Sequence, residues 1–247
     1  MKIFAHRGSS LIWPENTLLA FDKAHECGAT GFETDLRLSR DEEIILSHDD
    51  DLTRIGFSGG RVSTLLVRDI CRHSASSPDG KFKDNLITLR TLLTRYPEKD
   101  YIFDCKITSR RLMGKLKSLL DALHFHDRIW FLTWSQRADE YVREFFPGTP
   151  FFPREKRTRK WGLWSLIGLG GFVEPPHSIL SLPPYYLGLP VFVSGQLRAI
   201  EAREKQFLGY LVNSRRDYLR CIKTGVRQVL TDRADLISGY LRERPTL

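Results

Sequence analysis

Cysteine is scarce and scattered: the four present, Cys27, Cys71, Cys105 and Cys221, form no C-x-x-C pair. That argues against a disulfide framework or a cysteine zinc site and suits a reducing compartment. Long apolar runs are missing too. No uncharged stretch reaches the roughly 18 to 20 residues of a membrane span, and the opening residues lack a signal-peptide pattern. The expectation is a soluble, cytoplasmic protein. No internal repeat, low-complexity tract or interdomain linker divides the 247 residues, which are read as one domain, 1–247. Acid is in deficit, with 30 Asp and Glu against 38 Lys and Arg, a formal net charge of +8. The excess points to an anionic partner. No aromatic–cation binding module accompanies it, so nucleic acid is not expected, and most of the charge is read as solvated helix faces.

What is present is an ordinary globular composition, 41% apolar and 28% charged, at a length that one α/β barrel occupies. Short β-like runs alternate with amphipathic stretches. Strands are expected at Lys2–Ala5, Gly31–Leu36, Glu43–Ser47, Tyr101–Cys105, Arg128–Trp134, Phe207–Val212 and Val226–Leu230. Helices are expected at Thr17–Cys27, Leu89–Tyr96, Arg110–Leu123, Gln136–Phe146, Leu197–Lys205 and Arg215–Thr224. Such alternation argues for a mostly parallel sheet with crossover helices. Two stretches break the rhythm. Asp49–Asp84 is rich in Ser, Gly, Asp and Arg and reads as a long excursion that is functional or carries its own small structure. The other, Pro153–Pro190, joins a basic run to Trp161, Leu163, Trp164, Leu166 and Ile167. Its apolar part reads as an outer barrel helix, and Arg154–Ile167 also suits a peripheral membrane contact.

Groups suited to phosphate chemistry sit at the ends of the early strand-like runs: His6-Arg7-Gly8, Pro14-Glu15-Asn16-Thr17, Glu33-x-Asp35 and His48-Asp49. Glu33 and Asp35 lie two apart on a strand and so share a face. Two inward carboxylates are costly unless a cation neutralises them or one takes up a proton, and all-oxygen ligation suits Mg²⁺, Mn²⁺ or Ca²⁺. Arg7 can grip a phosphate in bidentate fashion, and a histidine can move a proton near neutral pH. Asp104-x-Lys106 repeats the same-face logic with an anion and a cation.

In this order, the HRG, PENT, FETDLRLS and IILSHDDDLTR strings resemble the glycerophosphodiester phosphodiesterase family. The likeness runs almost without gaps from Ile3 to Arg54, and more loosely through Leu86–Tyr96, Ile102–Ile107, Gly209–Asn213 and Leu230-Thr231-Asp232. The resemblance implies an α/β fold, a (β/α)8 TIM barrel with a short insertion after the early strand that ends in His48. It implies His6 and His48 as the catalytic pair and Glu33, Asp35 and Asp104 as ligands of a divalent metal (Mg²⁺, Ca²⁺ or Mn²⁺). It also implies Arg7 and Lys106 at phosphate-contacting positions, with Glu15, Asn16 and Tyr210 completing the substrate site. Asp104 stands where Glu is usual, and Tyr210 where Trp is usual, with Leu211 in place of a polar residue. The compact excursion suggests an open mouth.

The implied reaction is hydrolysis of a small-molecule glycerophosphodiester to glycerol 3-phosphate and an alcohol, one histidine deprotonating the nucleophile and the other protonating the leaving alkoxide. The nucleophile is either water or a neighbouring glycerol hydroxyl acting through a cyclic phosphate. The alternative within the same chemistry is a lysophospholipase D-like or cyclising enzyme acting on lysophospholipids at a membrane surface.

Overall fold

The computed structural model describes residues 1–152, 179–202 and 205–242. Its chain opens on β1 (Lys2–His6), α1 (Leu18–Glu26), β2 (Gly31–Leu38) and β3 (Ile44–Leu46). There follow α2 (Val67–Ile70), β4 (Ser74–Ser76), β5 (Lys83–Asn85) and α3 (Leu89–Arg95). Next come β6 (Asp100–Cys105), α4 (Arg110–Ala122), β7 (Ile129–Leu132) and α5 (Gln136–Phe145). The second described stretch holds β8 (Ile179–Leu182), β9 (Tyr185–Tyr186), β10 (Leu189–Pro190) and α6 (Ser194–Glu201). The third holds β11 (Gln206–Gly209), α7 (Arg215–Thr224), β12 (Gln228–Thr231) and α8 (Ala234–Arg242).

Strands β7, β6, β2, β1, β12, β11 and β8 pair side by side in that order, all parallel. Phe151 extends the series with a parallel bridge to Phe131, and the Phe152 amide donates to Phe131 O at 2.8 Å. The first strand lies beside the last, as in the expected TIM barrel. Helices cover the outer face because their apolar stripes match it. In α4, for example, Leu112, Met113, Leu116, Leu119 and Leu120 are all buried. Hydroxyl caps set where helices begin: Thr17, Thr88, Ser109, Ser135 and Ser214 each accept from the amide three residues on.

Two expectations change, and the excursion carries a small structure of its own as expected. The run ending in His48 is not a parallel neighbour of β1 and β2. Strand β3 turns back antiparallel on β2, pairing Leu36 with Leu46 and Leu38 with Ile44. A three-residue apolar run carries no direction, and the tight turn at Ser39–Glu43, closed by the Ser39 amide on Glu43 O at 3.0 Å, sets it. Helix α6 begins at Ser194, a turn before the expected Leu197. The excursion after His48 has its own core, where Leu52, Ile55, Val62, Ile70 and Ala75 pack on Ile45 and Leu86. The Arg154–Ile167 run, and with it the expected membrane contact, lies outside the described residues. Among the described residues no helix is long and apolar enough to cross a membrane.

Candidate active site

The C-terminal ends of the parallel strands converge on one rim. Parallel register places His6 beside Glu33 and Asp35 beside Asp104, so β1, β2 and β6 deliver their polar residues to adjacent positions. Period-two alternation turns Glu33 and Asp35 to one face. The chain after β1 is bent to fit. Arg7 and Gly8 have φ of 51° and 76°, and a Cβ on Gly8 would lie 2.7 Å from Ala20 C. Only glycine allows α1 to approach that closely.

Glu33, Asp35 and Asp104 are buried, with one oxygen from each within 4.8 Å of the others. Two oxygens across a hard cation stand about 4 to 5 Å apart, so the span fits such an ion. Asp35 Oδ1 is also buried without a well-formed hydrogen bond, although Lys106 Nζ lies 3.1 Å from it. An all-carboxylate donor set with an under-used oxygen suits Mg²⁺, Ca²⁺ or Mn²⁺.

The cations around the cluster are fixed in place. Arg7 Nε lies 3.1 Å from Asp35 Oδ2, and Lys106 Nζ lies 2.5 Å from Asp104 Oδ2. Asn16 donates to Asp35 Oδ2 at 2.9 Å and accepts from the Thr34 hydroxyl at 2.8 Å. Burial raises carboxyl pKa values, but at Asp35 the charges of Arg7 and Lys106 and the Asn16 bond outweigh it, holding the group below the usual range. At Glu33 burial dominates and, with the charges of Asp35 and Asp104, outweighs His6 and Arg7, pushing it up to about 8. Burial and Asp35 likewise push Asp104 up against the pull of Lys106.

His6 Nδ1 lies 2.5 Å from Asp232 Oδ1 and its Nε2 lies 3.6 Å from Glu33 Oε2. Burial opposes the imidazolium, yet Glu33 and Asp232 together raise its pKa above the ordinary value. Asp232 is itself held by Ser10 at 2.8 Å and Asn213 at 2.6 Å. His48 stands farther out and half-exposed, its Nδ1 2.7 Å from Asp49 Oδ1, while Arg37 donates twice to its carbonyl. The antiparallel return of β3 keeps it on the rim, with the Ser47 amide donating to Asp35 O at 3.0 Å. Arg54 ties this side to the centre, reaching Asp49 at 2.6 Å and Glu15 at 2.7 Å, while Glu15 reaches Arg7 at 3.5 Å. Tyr210, just past β11, is partly exposed. Its phenol is pushed up by burial and by the charges of Glu33 and Asp104, and its amide donates to Leu182 O at 2.9 Å.

Every residue expected in the site therefore falls on or beside this rim. Sequence reasoning missed Asp232, Arg54 and Trp134 as site members. Trp134 Nε1 donates to Asp104 Oδ1 at 2.6 Å, and Lys106 Nζ lies 5.0 Å from its ring. The traces in the sequence are the Leu230-Thr231-Asp232 match and Arg54 at the end of the dense likeness.

Residues 6–236 match the model of the Glycerophosphoryl diester phosphodiesterase family. The chain is 28% identical over 254 aligned residues to a glycerophosphodiester phosphodiesterase of Caldanaerobacter subterraneus subsp. tengcongensis, covering 98% of both. Its fold is similar to that of a glycerophosphoryl diester phosphodiesterase domain from Mycobacterium tuberculosis (TM-score 0.80, 16% identity, 97% of this chain and 98% of that one). An Oleispira antarctica phosphodiesterase, solved with its product sn-glycerol-3-phosphate, is also similar (TM-score 0.74, 20% identity, 98% and 97% covered). With the family's match spanning nearly the whole chain and its barrel present, this chain belongs to the glycerophosphoryl diester phosphodiesterase family of phosphoric diester hydrolases.

Proposed function

We propose that the chain hydrolyses a glycerophosphodiester to glycerol 3-phosphate and an alcohol, with His6 and His48 as the acid–base pair and a divalent cation held by Glu33, Asp35 and Asp104. The observation that carries this reading is the pairing of a carboxylate-buttressed His6 with three buried carboxylates and two fixed cations on one rim. The Oleispira antarctica relative holds sn-glycerol-3-phosphate as its product, which supports the same product here.

Asp232 accepts from His6 Nδ1–H, which leaves Nε2 directed at the cluster as the atom that takes or gives the proton. Asp49 holds His48 Nδ1 in the same manner, at 2.7 Å. A bound divalent cation would supply positive charge to the phosphate oxygens. Arg7 and Lys106 add fixed charge where the diester's oxygens become more negative, and they need no reorganisation to do so. Each proton transfer is worth about 10²- to 10⁴-fold in rate.

The test is product analysis on glycerophosphocholine, glycerophosphoethanolamine and a lysophospholipid, before and after EDTA. Glycerol 3-phosphate and the free alcohol should form from a glycerophosphodiester, cease with EDTA and return with Mg²⁺, Mn²⁺ or Ca²⁺. Undiminished turnover in EDTA would contradict the metal assignment. No turnover on any diester would overturn the activity.

A further inference from the structure

Directly after β8, at the mouth of the barrel, the chain makes a hairpin that packs little of its apolar surface. Tyr186, Leu187 and Leu189 are 57%, 87% and 62% exposed. A Cβ on Gly188 would meet nothing within 4 Å, so among the described residues the space beyond that position is open. Its two-residue turn puts Leu187 at φ 49° and Gly188 at φ 81°. Such a turn favours Asn or Asp before Gly, and leucine in the left-handed region is strained. An apolar side chain is kept at the one place in the hairpin where backbone and solvent both favour a polar one.

The hairpin is held rigid by a basic helix. Arg216 of α7 stacks over Tyr185 at 4.0 Å and donates to Gly188 O at 3.3 Å. One turn on, Arg220 donates to Phe192 O, and Lys223 O accepts from Ser194 at 3.3 Å. Helical spacing therefore sets Arg216, Arg220 and Lys223 in a row along the hairpin and the segment after it. The one acid of α7, Asp217, is turned to its Ser214 cap at 2.6 Å. The chain as a whole carries a net charge of +8.

We infer that the Tyr185–Pro190 hairpin docks the barrel mouth on an anionic lipid bilayer. The apolar tip enters the interface with Tyr186 at headgroup depth, and the exposed Arg216 and Lys223 meet the lipid phosphates. A bilayer accepts a narrow protruding tip, whereas a stable protein interface needs a far broader matched surface. The Tyr210 amide donates to Leu182 O at 2.9 Å, so the hairpin springs from the same rim as the carboxylate cluster. That the diester is met at the membrane rests on the proposed activity; the docking itself does not.

The test is sedimentation of the full chain with phosphatidylcholine vesicles, with and without phosphatidylserine. Binding should require phosphatidylserine and fall with salt. The Leu187→Asp/Leu189→Asp variant should bind about tenfold more weakly or worse, while Leu187→Trp binds at least as well as the parent. Both positions are exposed, so circular dichroism and turnover of glycerophosphocholine should be unchanged in both variants. Absence of vesicle binding by the parent overturns the inference, as does undiminished binding by the double-aspartate variant. A parent dimer that Leu187→Asp dissolves, with no vesicle binding, also overturns it in favour of a protein contact. Vesicle binding without turnover of any diester leaves the docking intact and removes the proposed activity, and the converse result removes only the docking.

Discussion

Two layers inside the same barrel are built from the same strands and behave in opposite ways. The lower layer is Phe4, Ile102, Trp130, Phe152, Ile179, Leu208 and Leu230, a closed apolar cluster. Two residues further along the strands, on the same inward face, stand His6, Asp104, Ser181, Tyr210 and Asp232. In β2 both positions are acidic, Glu33 and then Asp35. Gly31 below them leaves room for the Phe4 ring, which a Cβ there would meet at 2.6 Å. The lower layer gains free energy from burial, while the upper one spends it to hold carboxylates and cations out of water. On the strands that carry His6, Asp104 and Asp232, stability and function are separated by one period of the pleat, whereas on β7 the same position is the apolar Leu132, so substitutions in the two layers should fail in different assays.

The widest gap between the layers is expected at His6. Replacing it with alanine removes the group aimed at the cluster but leaves Asp232 bonded to Ser10 and Asn213. Turnover of glycerophosphocholine should fall by about 10⁴-fold, with the far-ultraviolet spectrum and melting curve retained. Near-parent turnover in the purified variant would remove His6 from the reaction. In the lower layer, Leu208→Ala should do the reverse. Leu208 is 2% exposed, and its truncation should cost about 3 kcal/mol in urea unfolding. The folded fraction should keep nearly the parent kcat, and a collapse of kcat in fully folded protein would show that the layers are not separable.

How much of this was legible in sequence depends on the range of each signal. The α7 helix is found at Arg215–Thr224 as expected, because Ser214 caps it and Gly225, at φ 87°, ends it. Glu33 and Asp35 were legible because alternation on one strand is a local property. The direction of β3 was not, since Ile44–Leu46 holds too few residues to show which way it pairs. The His6–Asp232 contact joins residues 226 apart and depends on β12 closing beside β1, which no local pattern encodes. That the excursion could carry its own small structure was legible from its length, but the members of its core were not, because Leu52, Ile55, Val62, Ile70 and Ala75 follow neither helical nor strand spacing.

The upper layer also makes a prediction about protons. With no cation present, burial and its acidic neighbours push Glu33 up to about 8, so in neutral solution it retains a proton that a cation must displace. A folded pKa above the unfolded value means the folded state binds more protons between about 4.5 and 8, so this group's contribution to stability falls as pH rises through that window. EDTA-treated protein should therefore melt at a lower temperature as pH rises from 6 toward 8. Added Mg²⁺ or Ca²⁺ should reverse the loss, with affinity rising by up to about tenfold per pH unit. Calorimetry in buffers of different ionisation enthalpy should register proton release on cation binding, and Glu33→Gln should abolish it. Cation binding with no proton release would mean that Glu33 is already ionised and that the layer is less desolvated than its burial implies.

The smallest effect is expected at Tyr210, where the upper layer opens to solvent. Its ring is partly exposed, and the charges of Glu33 and Asp104 influence its hydroxyl, but no proton transfer in the proposed reaction passes through it. Tyr210→Phe should leave kcat within about threefold, because losing a partly solvated hydroxyl costs little. Tyr210→Trp introduces the aromatic that the family resemblance implies and enlarges the ring proposed to face the alcohol portion of the diester. It should change KM for glycerophosphocholine relative to glycerophosphoethanolamine, since a quaternary ammonium gains more from a larger π face, and leave kcat nearly fixed. A matched fall of kcat on both substrates in Tyr210→Phe would instead place the hydroxyl on the reacting phosphate, and the charged layer would then extend three strands farther around the barrel than the carboxylate cluster alone indicates.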